Sequence, residues 1–475
     1  MVEDRRAAME AVLRKQRSAH HQMRPEPMNL RRDRIERAIT LLKKHGDDLC
    51  KVMAADFGNR SPLQSMITDI AGTANFGKYC LKNMDKWARA EKRHVQFPLG
   101  LLGAKAEVRY EPKGVVGILS PWNFPVNLSF GPLMQVFAAG NRAMIKPSEF
   151  TEKTSLLTKE LIEEYFTPDE CAVFTGGPEV AAAFSELAFD HLVFTGSTAT
   201  GRKVMEAASK NLVPVTLELG GKSPVFMGES ADFAKAGERV ALGKMMNAGQ
   251  ICLAPDYLYV PESKVDEAIH GVWEGTAAMY PSLLDNEDYT SIVTDRHFDR
   301  LQAIVADARD KGAEVIEVNP ANEDFSNTNS RKMPLTILKN VSEDMKAMRP
   351  SLIPGLLSAA KRNADRGSDG SRLFELGRRY FRGKGGASDE KPTLGVVLAG
   401  DKTPRGWAQG KAKQFDAFDA KAEERETRGF ISITSSFPSA GLTANCTLEP
   451  PVSTPMVRMT RMAASRISWY SLSLS

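Results

Sequence analysis

The sequence predicts an α/β fold built on a parallel sheet, with a helical region ahead of it and a stretch of different texture behind it. Three observations carry that expectation. Between Glu107 and Val260 short apolar runs alternate with helix-period segments, the pattern of strands joined by crossover helices. From Ala7 to Trp87 apolar residues such as Ile35, Ile39, Leu42 and Leu49 recur at helical spacing with Arg and Lys between them. A chain of 475 residues with 42% apolar content has material for sizeable cores.

Taken in order, the first segment reads as two or three amphipathic helices. Within it Asp56-Phe57-Gly58 matches the magnesium-binding triplet of protein kinases, but no glycine-rich loop or His-Arg-Asp run accompanies it, so it reads as a chance match. Strands are expected at Val115 to Leu119, Ala143 to Lys146, Ala172 to Phe174, His191 to Thr195, Val213 to Leu217, Val225 to Met227 and Tyr257 to Val260. Helices from about Thr151, Glu179, Gly201 and Ala231 separate most of them and predict a sheet covered on both faces. The alternation continues with a helix from Arg296 to Lys311 and strands at Glu314 to Val318 and Thr336 to Leu338. After Arg349 the texture turns basic and glycine-rich, from Lys361 to Gly386, and after Phe430 there is no lysine and a single acid, Glu449. These shifts divide the chain into 1–216, 217–346, 347–423 and 424–475, with no internal repeat.

Composition narrows the function. With 63 basic against 59 acidic residues the net charge is +4, which argues against nucleic acid or a charged membrane as main partner. Five cysteines, at 50, 80, 171, 252 and 446, contain no Cys-x-x-Cys pair, which suits a reducing cytoplasm and argues against a disulfide scaffold or a metal site. The start, Met-Val-Glu-Asp-Arg-Arg, lacks the apolar segment of a secretory signal, and no run approaches the ~20 apolar residues of a membrane helix. A cytoplasmic location is expected.

Several short runs carry chemistry. Cys252 ends the polar run Asn247-Ala-Gly-Gln-Ile and precedes an expected strand, so its thiol stands at a turn where it can face a cleft. Glu218 lies at the expected end of the strand Val213 to Leu217, just before Gly220-Gly221, where a carboxylate points into the site of an open α/β fold. Partial shielding there would raise its pKa and make it a useful base; taken alone it reads equally as a surface glutamate in a salt bridge. Asn123 sits in Pro121-Trp-Asn-Phe-Pro125, a context in which asparagine also favours a plain turn. The strand at His191 leads into a helix whose first turn holds Gly196 and Ser197, placing free N–H groups and a hydroxyl where a pyrophosphate can lie. No Gly-x-Gly-x-x-Gly fingerprint is present.

These runs together, with Lys146-Pro-Ser-Glu149, resemble the aldehyde dehydrogenases over residues 1–348, and the coniferyl aldehyde branch in particular. The resemblance implies a Rossmann-type sheet and assigns Cys252 as nucleophile, Glu218 as general base and Asn123 as oxyanion donor, a contact typically worth about 3 kcal/mol of barrier. It implies NAD as cofactor, held at the ribose by Lys146 and Glu149, at the pyrophosphate by Gly196 and Ser197, with Trp122 lining the pocket. Glu149 should repel a 2′-phosphate and so favour NAD, although Lys146 opposes it and leaves NADP open. An aromatic or medium-chain aldehyde is the implied substrate, and a homodimer the implied assembly.

The resemblance breaks at Met348-Arg349, which continues as Pro-Ser-Leu-Ile-Pro-Gly where the family has Glu-Glu-Ile-Phe-Gly-Pro. Residues 345–423 instead resemble the beta subunit of bacterial phenylalanine–tRNA ligase, through Met348-Arg-Pro-Ser-Leu-Ile-Pro-Gly-Leu-Leu357, Arg372-Leu-Phe-Glu-Leu-Gly-Arg378 and Leu394-Gly-Val-Val-Leu-Ala-Gly400. The expected architecture is therefore an incomplete catalytic domain, then a small α+β fragment and an irregular tail. Loss of the closing strand argues against the dimer and for weak turnover, with exposed strand edges. Two alternatives stay open: a translation-protein fragment, and a fusion that binds a dinucleotide without turning it over.

Overall fold

A computed structural model describes residues 2–326 and 330–339, then residue 363 and the segments 370–382, 388–403, 413–414, 443–446, 457–464 and 467–471. Met1–Val341 form one compact unit and Ser342–Ser475 a second. The first opens with helices α1 (Val2–Gln22), α2 (Met28–Lys44), α3 (Gly46–Phe57) and α4 (Pro62–Ser65), a π-helical turn (Met66–Ala71) and α5 (Gly72–Trp87). A small antiparallel hairpin follows, β1 (Glu91–Arg93) with β2 (Ala106–Val108). The Asp-Phe-Gly triplet has a structural explanation. Gly58, at φ 81°, ends α3, and the Asp56 carboxylate accepts the N–H groups of Lys153 and Thr154 at 3.0 and 2.9 Å, capping a later helix.

The alternating segment then builds the sheet: β3 (Val115–Leu119), α6 (Asn127–Ala138), β4 (Arg142–Lys146), α7 (Glu152–Tyr165), β5 (Cys171–Val173), α8 (Pro178–Ser185), β6 (His191–Gly196), α9 (Thr198–Ser209) and β7 (Val215–Leu219). All five strands are parallel, in the order β5-β4-β3-β6-β7. Side-chain alternation explains the continuous apolar runs. In β3, Val116 and Ile118 join a core with Ile35, Leu42, Phe130 and Phe137, whereas Val115 and Leu119 join a second core on the other face with Met9, Leu13, Phe184 and Val204. Each such buried side chain contributes about 1.5–3 kcal/mol. Helix starts differ from expectation by a few residues because polar caps set them: Ser197 is the N-cap of α9, its Oγ taking the Thr200 N–H at 3.2 Å and its carbonyl the Gly201 N–H at 2.8 Å.

The strands beyond β7 do not extend this sheet. β8 (Ser223–Phe226), α10 (Phe233–Met245), β9 (Pro255–Tyr259), α11 (Val265–Met279), α12 (Asp295–Asp310), β10 (Glu314–Val318) and β11 (Leu335–Lys339) follow. β8 pairs parallel with β9 as a separate two-stranded unit, so the one sheet expected between Glu107 and Val260 is two, and β10 pairs antiparallel with β11. Helices α10 and α11 cross closely through Gly237 and Gly271: a Cβ on Gly237 would lie 2.1 Å from the Gly271 carbonyl carbon.

In the second unit β12 (Gly370–Arg382) pairs antiparallel with β13 (Ser388–Thr403), which also pairs with β14 (Lys413–Gln414). A further sheet joins β15 (Thr443–Cys446), β16 (Val457–Ala464) and β17 (Ile467–Ser471). Most of the expected α+β fragment, 347–423, and most of the expected tail, 424–475, lie outside the described residues. Among the described residues no helix is long and apolar enough to cross a membrane.

Candidate functional site

Sheet order fixes where a ligand crevice forms. The chain lays down β3 in the middle, moves outward through β4 and β5, then returns to place β6 on the opposite side of β3. The reversal between β3 and β6 opens a crevice at the strands' carboxyl ends. The run holding Trp122 and Asn123 leaves β3 there, β6 ends in Gly196 before Ser197, β4 ends in Lys146, and β7 carries Glu218.

Cys252 lies in an exposed turn between α10 and β9. The residues ahead of it are unusual: Asn247, Ala248 and Gly249 have φ of 51°, 49° and 75°, three consecutive left-handed positions of which only the last is glycine. Such a position costs a non-glycine residue about 1–2 kcal/mol and persists only where its surroundings hold it. Here they do. Asn247 is fully buried; its N–H donates to Gln64 Oε1 at 2.7 Å and its side-chain amide to the Asn123 carbonyl at 3.1 Å. Gln250 ties the same turn to the next loop, donating to the carbonyls of Asn247 and Ser291 at 3.0 Å each and accepting the Val293 N–H at 3.0 Å.

Asn123 reaches this turn directly, its Nδ2 donating to the Gln250 carbonyl at 3.0 Å, two residues before the thiol. The glycine pair after Glu218 reaches it from the other side: the Gly221 N–H donates to the Cys252 carbonyl at 3.0 Å, and a Cβ there would stand 2.9 Å from that oxygen. The main chain thus joins the Asn123, Cys252 and Glu218 segments. The Glu218 and Cys252 side chains make no hydrogen bond to one another.

Two expectations for Glu218 need correction. It lies inside β7, opposite Thr195, because the strand runs two residues later than its apolar pattern suggested. It is also exposed, not partly shielded: β7 is an edge strand whose Val215, Leu217 and Leu219 face the core while Thr216 and Glu218 face outward. The salt-bridge alternative fails as well, since the Glu218 carboxylate has no hydrogen bond or ion pair among the described residues.

The residues proposed for the cofactor sit on neighbouring strand ends. Lys146 is buried, with its ammonium donating to the Pro147 carbonyl at 2.8 Å and to Glu149 at 3.3 Å; burial lowers its pKa and Glu149 partly restores it. At Gly196 a Cβ would lie 2.5 Å from the end of the Phe194 ring, so any side chain there would have to displace that ring, and Ser197 then presents the first turn of α9 to the crevice. A buried lysine braced by a carboxylate and a helix N-terminus at the switch point are donors suited to a dinucleotide.

Three further residues support this region and were not legible from sequence. His297, in α12, packs edge-on between Trp122 and Phe150, with ring centroids 5.2 and 5.4 Å away, and its pKa is lowered by burial and by Arg300 and Arg296. Arg60 and Asp69 form a fully buried ion pair at 2.8 Å behind the Asn123 loop. Burial pushes the Asp69 carboxyl up, and the Arg60 guanidinium opposes this. Of the other cysteines, Cys50, Cys80 and Cys171 are buried, which raises their thiols, Cys50 and Cys80 to about 11.

Comparison with known proteins agrees with this geometry. Residues 2–354 match the aldehyde dehydrogenase family, and residues 314–426 match the phenylalanyl tRNA synthetase beta chain CLM domain. The chain is 50% identical over 354 residues to a probable coniferyl aldehyde dehydrogenase of Caulobacter vibrioides, covering 74% of this chain and 73% of that protein. It is 48% identical over 347 residues to the coniferyl aldehyde dehydrogenase of a Pseudomonas species, covering 73% and 71%. Among solved structures, the substrate-bound state of Staphylococcus aureus AldH superimposes with a TM-score of 0.65 at 33% identity, over 70% of this chain and 71% of the other. The NAD+ complex of a Bacillus cereus aldehyde dehydrogenase gives 0.62 at 25% identity, over 72% and 68%.

Proposed function

Because the chain belongs to the aldehyde dehydrogenase family, we propose that it oxidises an aromatic aldehyde of the coniferyl type to its carboxylic acid, using NAD. Residues 1–216 then serve as the helical and dinucleotide-binding domain and 217–346 as the catalytic domain. The Cys252 thiolate adds to the aldehyde carbon, giving a thiohemiacetal whose oxyanion requires a donor. Asn123 supplies it by redirecting the amide that otherwise donates to the Gln250 carbonyl. Lys146 and Glu149 would hold the ribose of NAD, Gly196 and Ser197 its pyrophosphate, with Trp122 along the pocket, and the bound cofactor would supply the hydride acceptor. Glu218, free of other partners, accepts a proton from the water that hydrolyses the resulting thioester and frees Cys252.

One observation carries this reading: the Asn123 amide and the Gly221 N–H both bond to the turn of an exposed cysteine, from the ends of β3 and β7. The test is NADH formation from NAD and coniferyl aldehyde, beside Cys252→Ala. Turnover that the substitution abolishes supports the reading. Persistence of turnover in the variant removes Cys252 from the mechanism.

A second reading is supported by the point at which the family match stops, residue 354, leaving over a quarter of the Caulobacter relative unmatched. On that reading turnover is weak, and NAD binds without NADH appearing; quenching of tryptophan emission by NAD in the absence of turnover is its signature. The match at 314–426 supports a ligase-related role, for which co-purification with a ligase alpha chain is the test.

A further inference from the structure

We propose that the buried Arg60–Asp69 pair is the positioning device for the Asn123 amide, an inference that rests on the oxyanion role given to Asn123 above. Arg60 lies in the link between α3 and α4, and Asp69 in the π-helical turn, where the widened backbone turns a side chain that an α-helix would aim elsewhere. Neither belongs to the crevice, and both are fully buried. They grip one short stretch of chain from both ends. Arg60 donates one guanidinium nitrogen to the Asn123 carbonyl at 2.9 Å and another to Asp69 Oδ2 at 2.8 Å. The other oxygen, Asp69 Oδ1, accepts the N–H groups of Val126 and Asn127 at 3.2 and 3.1 Å, at the start of α6.

The Asn123–Asn127 stretch therefore closes a ring of hydrogen bonds through one ion pair, and the Arg60 guanidinium is held in plane by the rings of Phe57 and Phe124 at 4.8 and 5.4 Å. Burying two charges is a costly way to gain stability alone, since apolar side chains of equal volume do as well. What apolar side chains cannot do is fix the carbonyl of Asn123 and so the direction of its amide. Fixing that direction matters because an oxyanion donor displaced by a fraction of an ångström loses much of its effect.

The test uses the full chain and p-nitrophenyl acetate, which acylates Cys252 with release of p-nitrophenolate and needs no cofactor. Alongside it, alkylation of Cys252 by iodoacetamide reads the same thiol through a displacement that forms no oxyanion. Arg60→Lys keeps the charge but cannot span Asn123 and Asp69 together, and Asp69→Asn keeps the shape but halves the acceptors. Each should lower the acylation burst rate about tenfold while leaving the alkylation rate within about twofold. In an Asn123→Ala background neither should lower acylation further. Should Arg60→Lys not fold, Asp69→Asn carries the same comparison. Acylation unchanged in these variants while Asn123→Ala slows it, or both reactions slowed alike, overturns the positioning role. Unchanged acylation in Asn123→Ala itself removes the oxyanion role on which this depends.

Discussion

Burial divides Cys50, Cys80 and Cys171 sharply from Cys252, and that division is measurable. Cys50 and Cys80 are 4% and 0% exposed with pKa values pushed up to about 11, chiefly by burial, while Cys252 stands in an exposed turn. At pH 7.5 a thiol with a pKa of about 11 is ionised to roughly 3 × 10⁻⁴, against about 0.1 for an ordinary thiol. Its reaction with iodoacetamide is thus slowed ~300-fold before steric exclusion is counted, and exclusion adds the free energy of local opening. Quenched time points read by peptide mass spectrometry separate each cysteine, including Cys446. Cys252 should be modified first, by a margin of about 100-fold or more over Cys50, Cys80 and Cys171. Labelling of Cys80 at a rate within tenfold of Cys252 would refute both the burial argument and the placement of Cys252 in an open turn.

Substitutions probe the packing and the supports of the site. Burial pushes the Glu170 carboxyl up, but Arg37 and Arg34 overcome it and hold it at about 2; the shift from 4.5 corresponds to about 3 kcal/mol. Because the folded pKa is depressed, that stabilisation is complete above pH ~4.5 and fades as pH falls toward ~2. Glu170→Gln should therefore speed hydrogen exchange in β4 and β5 at pH 7, with the difference from the parent protein vanishing near pH 2. Gly237→Ala drives a methyl against the Gly271 backbone and should cost about 1–3 kcal/mol, seen as a lower melting temperature; Gly100→Ala, with nothing within 4 Å, should leave it unchanged. Gln250→Ala removes three hydrogen bonds and strands the buried Val293 N–H, a loss of about 2–3 kcal/mol, read as faster exchange at Asn247–Cys252.

Much of the fold was legible because two periodicities carry it. The runs at 115–119 and 143–146 are buried on both faces, so they read as unbroken apolar segments, and the expected parallel strands stand there. Legibility declined where backbone and apolar pattern part company. β7 runs past its last expected residue to include Glu218, because an exposed edge position tolerates a charge that the apolar pattern takes for an ending. The strands at Val225 and Tyr257 were expected in the main sheet and form a separate pair, since pairing partners depend on chain reversals that local composition does not encode.

The same division runs through the candidate site. Asn247–Cys252 and Glu218–Gly221 were readable because each is a contiguous run whose glycine and polar residues serve a neighbour a few positions away. Arg60, Gln64 and Asp69 were not, because each acquires its role from a partner distant in sequence: Arg60 meets Asn123 across 63 residues and Gln64 meets Asn247 across 183. In sequence they are charged or polar residues in a helical region rich in such residues, where a solvated helix face is the natural reading. Folding buries them instead, and a buried charge or amide survives only where a partner awaits it. The helical region thus does more than cover the sheet. Its polar residues brace both the strained turn before Cys252 and the loop of Asn123, so a substitution far from the crevice should register there through backbone geometry, without touching substrate.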